Sequence, residues 1–120
     1  MKEKFGEMVK NARGKESLNK VSNDLNISAA YLCDIEKGYR FPSKELLDKM
    51  FKRLKIDGIE KNKMYDLVAI ESPKKIAVSY DIAEYIMQNQ ELREFIRIAK
   101  IKNIKNSYWK NIREELEVKG

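Results

Sequence analysis

Apolar side chains recur along almost the whole chain at the three- and four-residue spacing of an α-helix. One such stripe predicts a first helix from about Lys2 to Arg13. Its apolar positions are Phe5, Met8, Val9 and Ala12. Equivalent stripes predict four more helices, over residues 18–25, 29–37, 44–54 and 60–69. Because helical periodicity dominates, the predicted fold class is all-α.

Residues that start and stop helices stand at the ends of these stripes. Ser17, Ser28 and Ser43 each precede a predicted helix, where a serine hydroxyl accepts a hydrogen bond from an orphan backbone N–H. Gly38 follows the third helix, a position where glycine commonly ends helices. Asn26 falls in the turn between the second and third helices, which predicts a positive φ there because Asn tolerates that conformation.

A second group of helices is predicted after residue 81. Residues 71–81 contain Pro73, two lysines and a β-branched patch, which predicts an extended linker. Beyond it, three more helices are predicted over residues 82–88, 91–101 and 107–118. Their apolar side chains are too many for a solvated tail. The predicted organisation is a helical domain over residues 1–70, a linker over 71–81, and a helical extension over 82–120 that dimerises or packs.

Composition excludes several classes of function. The chain has one cysteine, Cys33, and no histidine, which rules out an intrachain disulfide and leaves no plausible zinc site. The commonest general base is therefore missing. No segment approaches the roughly 18–20 apolar residues that span a bilayer, and the charged N-terminus does not fit a signal peptide. We expect a cytoplasmic protein that is not an enzyme and has no cofactor, metal or membrane partner.

The net charge of the chain is weaker evidence for its function than its composition. The net charge is +6, and residues 1–70 carry 15 Lys and Arg against 11 Asp and Glu. Such a balance raises the local concentration of polyanions without specifying a fold. A lysine-rich helical protein with no nucleic-acid partner has the same charge, so the excess alone does not decide between the two.

The second and third predicted helices form a recognisable unit. About three residues join them, which is helix-turn-helix spacing. The stretch SLNKVSNDLNISAAYLCDIEKGYRFPSKELLDKMFKRL combines Ser22 inside the second helix, L-N-I-S at the turn, YL-x-x-IE-x-G along the third helix and P-S-x-E-L-L opening the fourth. In this order of features, residues 4–69 resemble the lambda-repressor-like, Cro-type (XRE family) helix-turn-helix regulators. The resemblance implies a five-helix lambda-repressor-like DNA-binding domain.

Two positions depart from the family pattern, and residues beyond the domain resemble it less closely. Asn26 stands where the family usually has glycine. Glu16 stands where it usually has an apolar residue, which predicts a loosely packed turn before the second helix. Residues 80–116 resemble, more weakly, the C-terminal extension of some such regulators.

The resemblance places three residues against base edges: Ala29, Ala30 and Asp34. An alanine methyl packs against the thymine methyl, and a carboxylate accepts a hydrogen bond from cytosine N4. In the alternative interpretation the two alanines are only good helix formers near a cap, and Asp34 is a solvated surface charge. Readout through these residues would be sparse, so specificity would depend on DNA shape and half-site spacing.

Phosphate contacts are predicted around the same two helices. The candidates are Ser17, Asn19, Lys20, Ser28, Lys37, Tyr39, Arg40 and Lys44. The serines cap helices whose N-terminal N–H groups bind phosphate. Each lysine taken alone is more often a solvated charge, and it is the basic cluster interleaved with Tyr39 that favours binding. The resemblance also implies a structural ion pair between Arg13 and Glu36.

Two functions fit these features. The leading hypothesis is a sequence-specific double-stranded DNA-binding transcriptional regulator, a repressor acting as a homodimer, with its two third helices on half-sites about 34 Å apart. The alternative is a protein-interaction module of the same fold, antitoxin-like or a mobile-element regulator, with weak DNA binding. An enzyme has no supporting constellation, because the chain lacks histidine, a phosphate loop and a metal ligand set.

Overall fold

The computed structural model describes residues 3–119, which form eight α-helices and no strand. The helices are α1 (Phe5–Arg13), α2 (Leu18–Asp24), α3 (Ala29–Lys37), α4 (Lys44–Leu54), α5 (Gly58–Glu71), α6 (Tyr80–Gln88), α7 (Gln90–Ile101) and α8 (Asn106–Lys119). The predicted all-α class is confirmed. The predicted start of the first helix, Lys2, lies outside the described residues, and α1 begins at Phe5. No helix within residues 3–119 combines the length and the apolar character needed to cross a membrane.

Serine caps fix the starts of α2, α3 and α4. The hydroxyl oxygens of Ser17, Ser28 and Ser43 accept hydrogen bonds from backbone N–H groups three residues on, at 3.1, 3.0 and 3.3 Å. Gly38 ends α3 with φ 83°, and Asn26 has φ 58° in the turn before α3. Both positive φ values match residues that tolerate this conformation.

The chain divides into two compact units, Met1–Ala83 and Glu84–Gly120. The division lies within α6, slightly after the predicted start of the C-terminal extension. The first unit has a continuous apolar core contributed by α1 to α5: Phe5, Met8, Val9, Val21, Leu25, Leu32, Ile35, Leu46, Leu47, Met50, Phe51, Met64, Tyr65 and Val68.

The whole predicted linker, residues 71–81, belongs to the first unit. Helix α5 continues through Glu71, so only residues 72–79 are non-helical. Ser79 is 8% exposed and its hydroxyl donates a hydrogen bond to Asp66 at 2.5 Å. Ile76 and Tyr80 pack against the core. The second half of this segment is therefore docked rather than a free spacer, because its apolar side chains and Ser79 find partners distant in sequence.

The two ends of α1 are held by long-range polar contacts. The Glu71 carboxylate accepts hydrogen bonds from the backbone N–H of Phe5 at 3.1 and 3.3 Å, so the last residue of α5 satisfies an orphan donor of α1. At the other end, Arg13 donates two hydrogen bonds to the Glu36 carboxylate, at 2.7 and 2.9 Å. Both side chains of this ion pair are largely buried. Its hydrogen bonds to Glu36 raise the pKa of Arg13 above its ordinary value.

Helices α1 and α3 approach closely at Gly6. A Cβ atom placed on Gly6 would lie 2.6 Å from the carbonyl oxygen of Ile35 and still closer to that of Glu36. Real Cβ atoms do not approach backbone oxygens this closely, so the absence of a side chain is what permits the contact. Glu36 therefore meets α1 twice, through its backbone at Gly6 and through its side chain at Arg13.

The turn before α2 is held by charge rather than by apolar packing. Arg53 of α4 donates two hydrogen bonds to the Glu16 carboxylate, at 2.8 and 3.1 Å, and a third to Asp24 at 2.8 Å. Arg13 donates to the Glu16 backbone carbonyl at 2.7 Å. The prediction of a loosely packed turn is wrong, because the acidic residue at this position finds an arginine 37 residues away. The hydrogen bonds from Arg53 lower the pKa of Glu16 below its ordinary value.

The second unit has a small aromatic contact and no buried side chain among its described residues. Phe95 of α7 meets Trp109 of α8 edge-on, with ring centroids 5.7 Å apart. Phe95, Ile96, Ile98 and Ile101 of α7 are all exposed within one chain. A helix with an apolar stripe normally buries that stripe against a neighbouring element, and the apolar side chains of α7 remain partly exposed within this unit.

We expect Gly6→Ala to destabilise the first unit by about 1–3 kcal/mol or more, because the new methyl group meets backbone oxygens that cannot move aside. If the space at Gly6 were open, the same change would stabilise α1 by about 1 kcal/mol through helix propensity. Urea unfolding followed by circular dichroism distinguishes the two signs. Asn11→Ala, at an exposed position of the same helix, is the control and should cause no loss.

We also expect Glu16→Gln to lower the melting temperature most at neutral pH. The pKa of Glu16 is depressed in the folded chain, so its stabilisation is complete above the ordinary value of 4.5 and disappears as the pH falls through the lower folded value. The difference from the wild type should therefore be clear near about pH 7 and shrink towards about pH 3. Glu115→Gln, which changes an exposed carboxylate of α8, should show no such trend. A difference that stays constant with pH would contradict the role of the carboxylate charge.

Candidate nucleic-acid interface

The outward face of α3 carries the three predicted base-facing residues. Leu32 and Ile35 are buried on the opposite side, which fixes the rotation of the helix. Ala30 is exposed and Asp34 follows it one turn later on the same face. Ala29 lies at the N-terminal end and is half-buried. The structure therefore presents a small, smooth surface at the start of α3 with a single carboxylate behind it.

Asp34 is not an isolated surface charge. Its carboxylate lies 3.9 Å from Nε of Arg40, and both side chains are substantially exposed. The Arg40 guanidinium carbon lies 5.2 Å from the ring centroid of Tyr31, in the first turn of α3. Arg40 follows the C-terminal end of α3 in the chain, but the turn at Gly38 places its side chain beside Tyr31 and Asp34, which lie earlier in that helix. The sequence assigns Arg40 to phosphate contact and does not reveal this return.

All eight predicted phosphate-contacting residues are exposed: Ser17, Asn19, Lys20, Ser28, Lys37, Tyr39, Arg40 and Lys44. Ser17 and Ser28 use their hydroxyl oxygens as acceptors for their own helices, so each hydroxyl proton remains available for an outside acceptor. The two caps also mark the N-termini of the two helices, where backbone N–H groups and the helix dipole favour an anion.

Some of the predicted cations already have carboxylate neighbours within the first unit. Lys20 lies 3.7 Å from Glu16, and Lys44 lies 3.2 Å from Asp48. These pairs are exposed, and such pairs contribute only about 0–1 kcal/mol, so a phosphate competes with them readily. Asp48 also accepts a hydrogen bond from the Tyr65 hydroxyl, which keeps its carboxylate beside Lys44.

Sequence reasoning missed a cation on this side of the molecule. A groove of about 630 Å³ is lined by Arg40, Lys44 and Lys74, with Tyr31 and Tyr80 among its aromatic walls. Lys74 is exposed, and its backbone N–H donates to the Ser72 hydroxyl at 3.2 Å. The sequence places Lys74 in the linker, and only the docking of residues 76–80 brings it near the basic loop. The pair of lysines after Pro73 is the one available signal.

Within residues 3–119, no group of three or more Cys, Asp or Glu side chains is arranged to hold a metal ion. Cys33 is a free thiol, half-buried on α3. The features gathered around α2 and α3 are hydroxyls, cations and helix N-termini, which is the chemistry that contacts a phosphate backbone.

Comparison with known proteins adds no family to this geometry. No family model, no curated protein and no solved structure matches the chain. What the interface binds is therefore inferred from the residues of the chain and their arrangement.

Proposed function

We propose that the chain is a sequence-specific double-stranded DNA-binding transcriptional regulator, acting as a homodimeric repressor. The observation that carries the proposal is the pairing of α2 and α3 across a turn with a positive-φ asparagine, each helix capped by an exposed serine. Under this proposal, α1 to α5 form a five-helix lambda-repressor-like domain of the Cro-type (XRE) family. A cytoplasmic location goes with this function.

In the proposed complex, α3 enters the major groove by its N-terminus and α2 crosses the sugar-phosphate backbone. The small side chains of Ala29 and Ala30 let α3 approach the base edges closely and pack against thymine methyl groups. Ser17, Ser28 and the exposed cations then contact phosphates on either side. Because the alanines offer no hydrogen-bond donor, shape and deformability of the DNA contribute much of the specificity.

Dimerisation is proposed through the second unit. Among the described residues of this unit, ten large apolar side chains are exposed: Tyr85, Met87, Phe95, Ile96, Ile98, Ile101, Tyr108, Ile112, Leu116 and Val118. A unit of this size with no buried side chain lacks a core of its own, and apolar surface of this extent marks an association surface. A second copy would cover it and would supply the second α3 that a two-fold operator needs.

One observation favours the alternative function, a protein-interaction module of antitoxin or mobile-element type. The outward face of α3 is small and carries a carboxylate, and either feature is compatible with a protein surface. The basic loop between Lys37 and Lys44 opposes it, because a cluster of exposed cations around capped helix N-termini suits a polyanion.

Footprinting on DNA that flanks its own gene should reveal a protected palindrome at low salt. Lys37→Ala and Lys44→Ala should each weaken binding for all sequences and reduce the slope of log K against log salt. The slope is negative, and it should become less steep by about 0.9 for each phosphate that the variant no longer neutralises. In a dimer each substitution is present twice, so two phosphate contacts are lost. Binding measured by fluorescence anisotropy over a series of salt concentrations gives both quantities.

Lys52→Ala is the matched control, since Lys52 is exposed on α4 about 12 Å further along the helix than Lys44. It should change the slope less than Lys44→Ala. No protected site with folded protein would reject the DNA-binding proposal. Unchanged DNA affinity in the loop variants, together with abolished binding to a protein partner, would favour the interaction module.

The homodimer has its own test. Ile98→Gln combined with Ile101→Gln should convert a wild-type dimer into a monomer in sedimentation measurements, because both side chains are exposed within one chain and would be covered by the second copy. Ile59→Gln is the matched control: Ile59 is 85% exposed, close to the 83% of Ile101, but lies in the first unit. A wild-type chain that sediments as a monomer over the full concentration range would contradict the dimer.

A further inference from the structure

The three predicted base-facing residues of α3 offer no hydrogen-bond donor, and an arginine is available from the loop that follows. Ala29 and Ala30 have no polar side-chain atoms, and Asp34 only accepts. Recognition of guanine needs donors to O6 and N7, which arginine supplies as a pair from its planar guanidinium. Arg40 lies outside α3, but the chain turns at Gly38 and returns its side chain to the helix surface.

Two contacts describe the position of the Arg40 guanidinium. Its carbon is 5.2 Å from the Tyr31 ring centroid, so it packs over a residue in the first turn of α3. Its Nε is 3.9 Å from the Asp34 carboxylate, one turn further along. Ala30 and Asp34 lie on the outward side of the helix, and Tyr31 lies at its margin, where it also packs against the core. The guanidinium is therefore beside the part of α3 that would enter the groove.

The arrangement leaves the recognition atoms of Arg40 free. The 3.9 Å between Nε and the Asp34 carboxylate is longer than a hydrogen bond, and the Arg40 side chain is 62% exposed, so its Nη groups can reach an outside acceptor. The pairing also offsets the charge of Asp34, which alone would repel phosphates on both sides of the groove. A carboxylate that faces DNA is tolerated where a cation neutralises it, and here that cation is the only arginine in the loop between α3 and α4.

We propose that Arg40 reads a guanine in the major groove, with Tyr31 and Asp34 as positioning residues. The proposal rests on the proposed DNA-binding function and assigns to Arg40 a base contact in place of the phosphate contact expected from the sequence. Tyr31 supports the guanidinium plane and Asp34 directs its Nη groups away from the helix. Each half-site then contains a guanine that α3 itself does not contact.

The test is selection from a random DNA library with the full chain, followed by affinity measurements on single sites. The wild type should enrich a motif with a guanine in each half-site, and exchanging that base pair should lower affinity about tenfold or more. Arg40→Lys keeps the charge but cannot form the paired donor contact, so it should lose this preference while still binding DNA. Lys44→Ala should weaken binding to both sites equally and keep the preference.

The variant Asp34→Asn tests whether Asp34 positions the Arg40 side chain or only repels DNA. If Asp34 directs Arg40, the variant should lose part of the guanine preference, while affinity for unrelated DNA rises because a negative charge is removed. If Asp34 only repels DNA, affinity should rise equally for both sites and the preference should persist, which would overturn its positioning role. Circular dichroism confirms that each variant is folded.

The outcomes separate the two levels of the proposal. A wild-type motif that Arg40→Lys and Arg40→Ala both retain overturns the guanine contact and leaves DNA binding intact. A wild-type chain that enriches no motif overturns the proposed function, and the guanine contact with it.

Discussion

The close contact between α1 and α3 determines where the proposed reading helix lies. Glycine at position 6 lets the backbone of α1 meet the backbone of α3 at Glu36, and no other residue type fits the gap. The side chain of Glu36 then pairs with Arg13 at the far end of α1. One residue of α3 is thus fixed through its backbone and its carboxylate, so the helix can neither slide nor rotate without breaking a largely buried ion pair. The exposed face of α3 follows from this restraint.

The same restraint bears on how a helix with few functional groups could form the proposed binding surface. Because α3 is held from behind, its outward residues need not contribute to stability and are free to be small. The polar chemistry is supplied from its margins, by the two serine caps, by the loop after Gly38 and by Lys74, which precedes the docked residues 76–80. In the proposed complex, the small side chains in the middle of this face would let α3 approach DNA closely. The side chains at its margins would donate the hydrogen bonds.

Local sequence signals predict the bounds of the helices well, but they do not predict which residues distant in sequence will contact each other. The predicted bounds of α3 and α4 match the structure because serine and glycine act within one turn of the helix ends. The capping of α1 by Glu71, the hold of Arg53 on Glu16 and the docking of Ser79 on Asp66 join residues 13 to 66 positions apart. No spacing rule encodes such pairs, since they depend on how the helices pack. The Arg40 contacts escape prediction for the same reason, because only the turn at Gly38 returns that side chain to α3.

Sparse readout in one copy makes association of two copies functionally necessary in the proposed regulator. Free energies of two rigidly linked half-sites add, so a tenfold preference in each becomes about a hundredfold preference in the pair. A single α3 with two alanines could not distinguish its site from the large excess of other DNA. The exposed apolar side chains of α7 and α8 supply a means of joining two copies. In the proposed dimer, one association would both cover the exposed apolar side chains of the second unit and add the recognition of a second half-site to that of the first.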